Sequence, residues 1–401
     1  MSQPAKWTWL VYMAGDNNLE GAGRDDLAEM KRVGSTADVN VIVQFDTEEK
    51  KTTRYRVEKN KLKAVQQMPG VDCGDPKVLT QFIQWGMKNY PAQHYLLDVW
   101  NHGGGWENLP ADYNYDALRL AKPLAAVKRN RIRRSLFRTT VKKIHKRPAQ
   151  ARAIALDCGS HDYLDNQELH NGVFKALPKG GKFDIFGCDA CLMNMLEIAY
   201  EMKDTANLMV GSEETEPGAG WPYAAILKGL VAKPTMAPAD LAKSIVTEYG
   251  KYYQKTGEGA TQSALDLGKI QAAATAVNDL ANALLADLSS VAGAVSLARD
   301  RAQKFEMPEY IDLGDFASQL AQRLPQNAAV KAATDKVQQA LKPATGSGLV
   351  LQNATSGSKM QRATGVSIYF PHSEEYAPDY KDLAFSKEGR WKTFLEALFK
   401  A

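Results

Sequence analysis

Two apolar runs in this chain each end on a side chain capable of covalent chemistry. Tyr95-Leu-Leu-Asp-Val-Trp-Asn101 leads into His102-Gly103-Gly104-Gly105, and Phe183-Asp-Ile-Phe-Gly187 leads into Cys188-Asp189-Ala190-Cys191. A thiolate is a strong nucleophile, and an imidazole can take its proton and later return it to a leaving amine. Cys191 as nucleophile and His102 as general base are the parts of a cysteine peptidase. The stretch Leu192 to Met202 has helical composition, so Cys191 is expected at a helix start, where the dipole favours thiolate over thiol. The glycines after His102 allow close approach of a substrate. The N–H groups of Gly103 and Cys191 are the expected oxyanion donors. Asp189, two residues before Cys191, could pair with an Arg or Lys side chain of a substrate or cap the following helix. Spacing does not separate the two.

Competing readings attach to the same residues. Cys191 could be a buried structural thiol, and His102 a loop residue packed beside Trp100 and Trp106. Cys188-x-x-Cys191 also has the spacing of a redox or zinc dithiol, but a closed zinc site needs two further ligands. Cys73 and Cys158 supply no second pair, and a dithiol leaves His102 and its glycines unexplained.

Strands ending on such loops need a sheet to hold them. Trp7–Met13, Asn40–Phe45, Tyr95–Trp100, Phe183–Gly187 and Leu208–Gly211 read as strands. Leu19–Val33, Val78–Asn89, Glu168–Leu177 and Leu192–Met202 read as helices between them. Alternation of this kind predicts an α/β fold with a mainly parallel sheet covered on both faces. Thr52–Gln67 alternates polar and apolar residues, as a hairpin or an edge excursion does. After Pro238 the composition turns to Ala-rich helix at Leu241–Tyr253, Ile270–Leu285, Val291–Lys304 and Ala328–Leu341. Gly348–Leu351 and Gly365–Phe370 look like late strands, and Trp391–Phe399 like a closing helix. A boundary near Ala237 divides a core, residues 1–237, from a helix-rich region with late strands, residues 238–401, packed on it.

The 401 residues carry a net charge of +4 that is unevenly placed. Between Asp116 and Asp157 there are thirteen Lys or Arg and no acidic residue, leaving 37 basic against 46 acidic residues elsewhere, a net of −9. Residues 117–150 therefore read as a long exposed loop or a loosely held helix. Such a segment could contact nucleic acid or an acidic surface, serve as a cleavage loop, or merely be solvated. Among aromatic residues suited to base stacking it holds only Phe137, which makes nucleic acid an unfavoured partner. No apolar run approaches the length a membrane helix needs. Met1 to Lys6 and the aromatic run after it do not resemble a signal peptide, and four cysteines make no disulfide framework. Together these favour a cytoplasmic protein.

The motifs resemble those of the clostripain-like family of cysteine peptidases, in the caspase-like clan. The similarity begins at Trp7-Thr-Trp-Leu-Val-Tyr-Met-Ala-Gly-Asp-Asn-Asn-Leu-Glu20 and includes Trp100-Asn-His-Gly-Gly-Gly-Trp106 and Asp184-Ile-Phe-Gly-Cys-Asp-Ala-Cys-Leu-Met193. It continues through Ser212-Glu-Glu-Thr-Glu-Pro-Gly-Ala-Gly-Trp-Pro-Tyr223, Gly365-Val-Ser-Ile-Tyr-Phe-Pro371 and the terminal Trp391 helix. The resemblance implies a caspase-like, mostly parallel sheet sandwiched by helices, and a Cys–His dyad of Cys191 and His102. It places Asp189 in the pocket for a basic P1 side chain, so that protein or peptide substrates are cut after Arg or Lys. Some members are zymogens cleaved between the His and the Cys. That makes Arg129, Arg131, Arg133, Arg134, Lys143, Lys146 and Arg147 candidate processing sites, for the enzyme itself or for an upstream activating protease. Two departures stand out. Cys188 occupies a position where members often carry a bulky apolar residue, and it could form a disulfide with Cys191. Ala219 precedes Gly220-Trp221, near where basic-specific members supply a second carboxylate, leaving Glu213, Glu214 or Glu216 as substitutes. No cofactor is required by the sequence, and calcium is possible from the family. Asp162-Tyr-Leu-Asp-Asn-Gln-Glu168 lacks the glycine and distal Glu of an EF-hand loop. The alternative from another class is a catalytically idle caspase-like scaffold whose basic loop binds nucleic acid or an acidic partner.

Overall fold

The run Trp7 to Met13 is apolar at both odd and even positions, so a strand made from it must be covered on both faces. The computed structural model, which describes residues 4–106, 114–119, 154–342 and 348–401, builds its central sheet around that run. The strands in chain order are β1 (Ala5–Gly15), β2 (Val39–Thr47), β3 (Lys51–Glu58), β4 (Lys61–Pro69), β5 (Ala92–Trp100), β6 (Ile154–Asp157) and β7 (Asp162–Leu164). They continue with β8 (Phe183–Asp189), β9 (Ala206–Gly211), β10 (Ala260–Asp266), β11 (Tyr310–Asp312), β12 (Val350–Ser356) and β13 (Ser367–Tyr369). Nine of them form one sheet in the order β12-β10-β9-β8-β5-β1-β2-β3-β4. The five strands from β9 to β2 are parallel. At each edge the sheet turns antiparallel, through β10 and β12 on one side and the β3–β4 hairpin on the other.

Side chains of β1 show how the two layers are built. Gly86 of helix Pro76–Asn89 lies so close to Leu10 that a Cβ there would be 2.6 Å from Leu10 Cδ2. Trp9, on the opposite face, has its ring centroid 5.7 Å from that of Tyr223. Helices Glu20–Val33, Tyr223–Ala232 and Pro238–Thr256 accompany Trp9, whereas Pro76–Asn89, Asn166–Ala176, Leu196–Glu201 and Ile270–Ala286 accompany Leu10. One contiguous apolar core extends from Trp7 to Leu395. Strands on both sides of Ala237 share the sheet, and β10 and β12 are its late members.

The expected strands and long helices lie within a few residues of their sequence-based bounds, with two informative differences. Ala260–Asp266 has no apolar run and gave no strand signal, yet six of its seven residues are buried. Its Thr261, Gln262 and Ser263 bond to polar groups around residues 194–216, so polarity here is paired inside the core. The second difference concerns the helix expected at Leu192. It begins only at Leu196 and ends at Glu201. Leu192 takes a left-handed φ of 63°, which no α-helix accommodates. Asn194 turns its side chain to Gly365 rather than leaving it on a helix surface.

Candidate active site

His102 follows the last residues of β5, and the loop that carries it is fixed by asparagines. Asn101 accepts a hydrogen bond from the Leu156 N–H at 2.9 Å and donates to Ala14 O, joining the ends of β5, β6 and β1. Asn17 donates to Ala14 O at 3.0 Å and to Leu156 O at 2.8 Å. The His102 ring is buried, and its Nε2 lies 2.8 Å from Asn18 Oδ1. An amide oxygen only accepts, so the proton of neutral His102 sits on Nε2 and Nδ1 is the basic nitrogen. Burial lowers the His102 pKa from 6.5 to about 3, so the ring is a neutral base at physiological pH. Sequence reading missed Asn17, Asn18 and their role. The signal was Asp16-Asn17-Asn18 at the end of a strand, where short polar side chains bond local backbone.

Cys191 follows β8 by two residues, in a turn rather than at a helix start. Segment 212–216 runs alongside this turn: Leu192 N–H donates to Glu214 O at 3.2 Å and Asn194 N–H to Ser212 O at 3.0 Å. The Glu216 N–H donates to Cys191 Sγ at 3.3 Å. Strands β10 and β13 clamp the far side, with Asn194 Nδ2 bonded to Ser263 Oγ and to Gly365 O, and Ser367 N–H to Asn194 O. The thiolate-favouring helix dipole expected for Cys191 is therefore absent. Burial, then the nearby Glu216 carboxyl, pushes the Cys191 thiol well above its usual range. The His102 and Cys191 loops nonetheless abut. A Cβ on Gly103 would lie 2.4 Å from Cys191 O and 3.0 Å from Cys191 N, so only glycine fits between them. Cys188 is buried on β8 and all four cysteines are free thiols.

Behind Cys191 lies a group of buried carboxyls drawn from separate elements. Asp189, the last residue of β8, accepts from Tyr223 Oη at 2.8 Å and from the Trp221 N–H at 3.1 Å. Asp98 Oδ2 of β5 lies 3.0 Å from the same hydroxyl, whose single proton serves one carboxyl, so a proton on the other completes the second contact. Asp189 thus caps no helix. Of the three glutamates proposed from sequence, Glu216 is the one placed against Asp189. Glu213 instead accepts from the Gly365 N–H, and Glu214 from the Thr215 N–H. Burial, reinforced by Asp189, raises Asp98 to about 8. Burial raises Asp189 and pushes Glu216 well up, the latter reinforced by Asp189. Among the described residues no Lys or Arg pairs with Asp98, Asp189 or Glu216, and buried carboxylates without a cation retain protons. Asp98 was missed in the sequence because it sits inside an apolar run, where an acid reads as an interruption rather than as a buried partner of Tyr223.

A separate set, Asp46, Cys73 and Asp157, puts three potential ligand atoms within 4.8 Å of one another. It does not fit calcium. Asp157 already accepts from the N–H groups of Cys73, Gly159 and Ser160, and burial holds the proton on Cys73, whereas calcium takes six to eight oxygens. Among the described residues, Cys73 has no imidazole as a hydrogen-bond partner. The candidate processing residues Arg129, Arg131, Arg133, Arg134, Lys143, Lys146 and Arg147 lie outside the described residues.

The family model described as the clostripain family matches residues 11–117 and 141–397. Clostripain from Hathewaya histolytica is 27% identical over 250 residues, covering 54% of this chain and 41% of the relative, so the match spans about two-fifths of that protein. A secreted C11 cysteine protease from Bacteroides thetaiotaomicron, solved with an irreversible peptide inhibitor, superposes with a TM-score of 0.66 at 19% identity, covering 98% of this chain and 99% of that one. An inactive zymogen C11 protease from Parabacteroides distasonis gives 0.67 at 21% identity, covering 97% and 99%. At these identities the likeness is one of fold, a sheet flanked by helices.

Proposed function

Since this chain belongs to the clostripain family of cysteine peptidases, we propose that it is an endopeptidase cutting after Arg or Lys with Cys191 and His102. The observation that carries the reading is the meeting of the two strand-end loops, with Gly103 packed directly on the Cys191 backbone. Nδ1 of His102 takes the thiol proton, Sγ attacks the scissile carbonyl, and the resulting acyl-thioester is hydrolysed by water. The Gly103 and Cys191 N–H groups receive the oxyanion. Asp189, with Tyr223 and Asp98 behind it, supplies the negative wall for a basic P1 side chain.

The buried sulfur and the carboxyls closed upon one another favour a precursor that needs rearrangement before it cuts. Cleavage in the basic segment, by the enzyme itself or by an upstream protease, would supply it. Intact mass of the wild type and of Cys191→Ala and His102→Ala, incubated at neutral pH under reducing conditions, tests the reading. The wild type should split after a Lys or Arg between Arg119 and Arg152 while both variants stay whole. If the purified protein, also after treatment with trypsin, cuts no Arg or Lys peptide, the reading fails.

A further inference from the structure

Glu216 takes part in two contacts that the proposed chemistry treats as separate. Its backbone N–H donates to the Cys191 sulfur at 3.3 Å. Its side chain, 1% exposed, lies against Asp189, with Oε1 3.4 Å from Gln262 Nε2 and Oε2 without a hydrogen-bond partner among the described residues. One residue therefore touches both the nucleophile and the pocket for the P1 side chain.

We propose that Glu216 makes the P1 cation an electrostatic activator of Cys191: a guanidinium or ammonium seated between Glu216 and Asp189 cancels the negative charge that opposes thiolate formation. This rests on the Arg/Lys reading above and adds a second task to the same pocket. Charge next to the sulfur decides how readily the thiol loses its proton. The N–H donated to sulfur stabilises thiolate, while the carboxyl on the same residue opposes it. With the pocket empty, the carboxyls of Glu216 and Asp189 hold a proton between them and still carry negative charge beside Sγ. A cation that enters while that proton is retained brings the net charge of the pair to zero, leaving the N–H···S bond as the dominant influence. The groups facing Glu216 give no alternative source of positive charge. Among the described residues they are Asp98 of β5, Cys188 and Asp189 of β8, Cys191, Trp221, Gln262 of β10, and Tyr249 and Tyr253 of helix Pro238–Thr256. Every one is acidic or neutral. The sequence alone offered Glu216 only as a substitute second carboxylate. The contact with sulfur is what gives it the added role.

The probe is agmatine, a guanidinium with no scissile bond, with choline at equal concentration as the ionic-strength control. Iodoacetamide labelling of Cys191 in the full chain is followed by peptide mass spectrometry, and agmatine binding by calorimetry. Agmatine should accelerate Cys191 labelling about tenfold, the gain in thiolate fraction when a thiol pKa falls by about one. The acceleration should shrink below about twofold in Glu216→Gln and persist in Glu216→Asp. If agmatine binds and the Cys191 rate does not change, or if Glu216→Gln responds like the wild type, the proposal is overturned while basic P1 recognition stands. If agmatine binds neither the full chain nor the trypsin-cleaved chain, basic P1 recognition itself fails and takes the proposal with it. The wild-type comparison needs no variant, so poor folding of Glu216→Gln leaves the test decisive.

Discussion

Asn18 determines which nitrogen of His102 is basic, because its amide oxygen takes the Nε2 proton. Substituting Asn18→Ala should lower kcat about tenfold with KM nearly unchanged, since the ring loses its fixed tautomer but the pocket keeps its shape. Steady-state kinetics with an Arg peptide, beside thermal unfolding to show an intact fold, check this. An equal rise in KM would mean that Asn18 acts on substrate binding instead. His102, Cys191 and Asp189 are legible as residues because their types sit at the ends of apolar runs. Asn18 and Asp98 are less so. Their meaning depends on which strands become neighbours, and no local pattern encodes that β5 lies between β1 and β8.

The His102 and Cys191 loops are set by the ends of parallel strands, and their spacing leaves no room for a methyl group. Gly103→Ala should abolish peptide cleavage and lower Tm, because the new Cβ would meet backbone atoms of Cys191 that cannot rotate away. Gly21→Ala is the matched control: it lies in helix Glu20–Val33 with nothing within 4 Å. There the substitution should raise stability by about 0.5–1 kcal/mol. Both are read by thermal unfolding and peptide assay. Apolar periodicity located β1, β5 and β8 well, since each is buried on both faces. It extended a helix through residues 192–195, where composition is helical but Leu192 and Asn194 are held by distant segments. Strand β10 escaped notice for the opposite reason, having polar residues whose partners lie elsewhere in the chain.

Across the whole molecule, buried ionisable groups set opposing pH limits. His102 is held near 3 against 6.5 unfolded, so the unfolded chain alone binds that proton between these values and stability falls as pH drops from about 6.5 to about 3. Asp98 is held at about 8 against 3.8, so the native state alone keeps that proton. Its contribution is complete below about 4 and is lost as pH rises to about 8. Glu197 and Asp46, both near 7 through burial, act in the same direction as Asp98. Because three such carboxyls outweigh the one histidine above about pH 4, Tm should peak near pH 4 and decline toward pH 8, and Asp98→Asn should reduce the decline. A Tm that rises to pH 8, or an unchanged slope in the variant, contradicts this. A chain ending at Ala237 lacks Ser263 and Gly365, which hold Asn194, and should show no cooperative unfolding by circular dichroism. The clamp on Asn194 also orders events during synthesis. Gly365 is translated 171 residues after Asn194, so the turn that carries Cys191 gains this clamp only once that whole stretch has been made. A nascent chain thus passes through a stage in which Cys191 is present but its turn lacks the contacts that hold it.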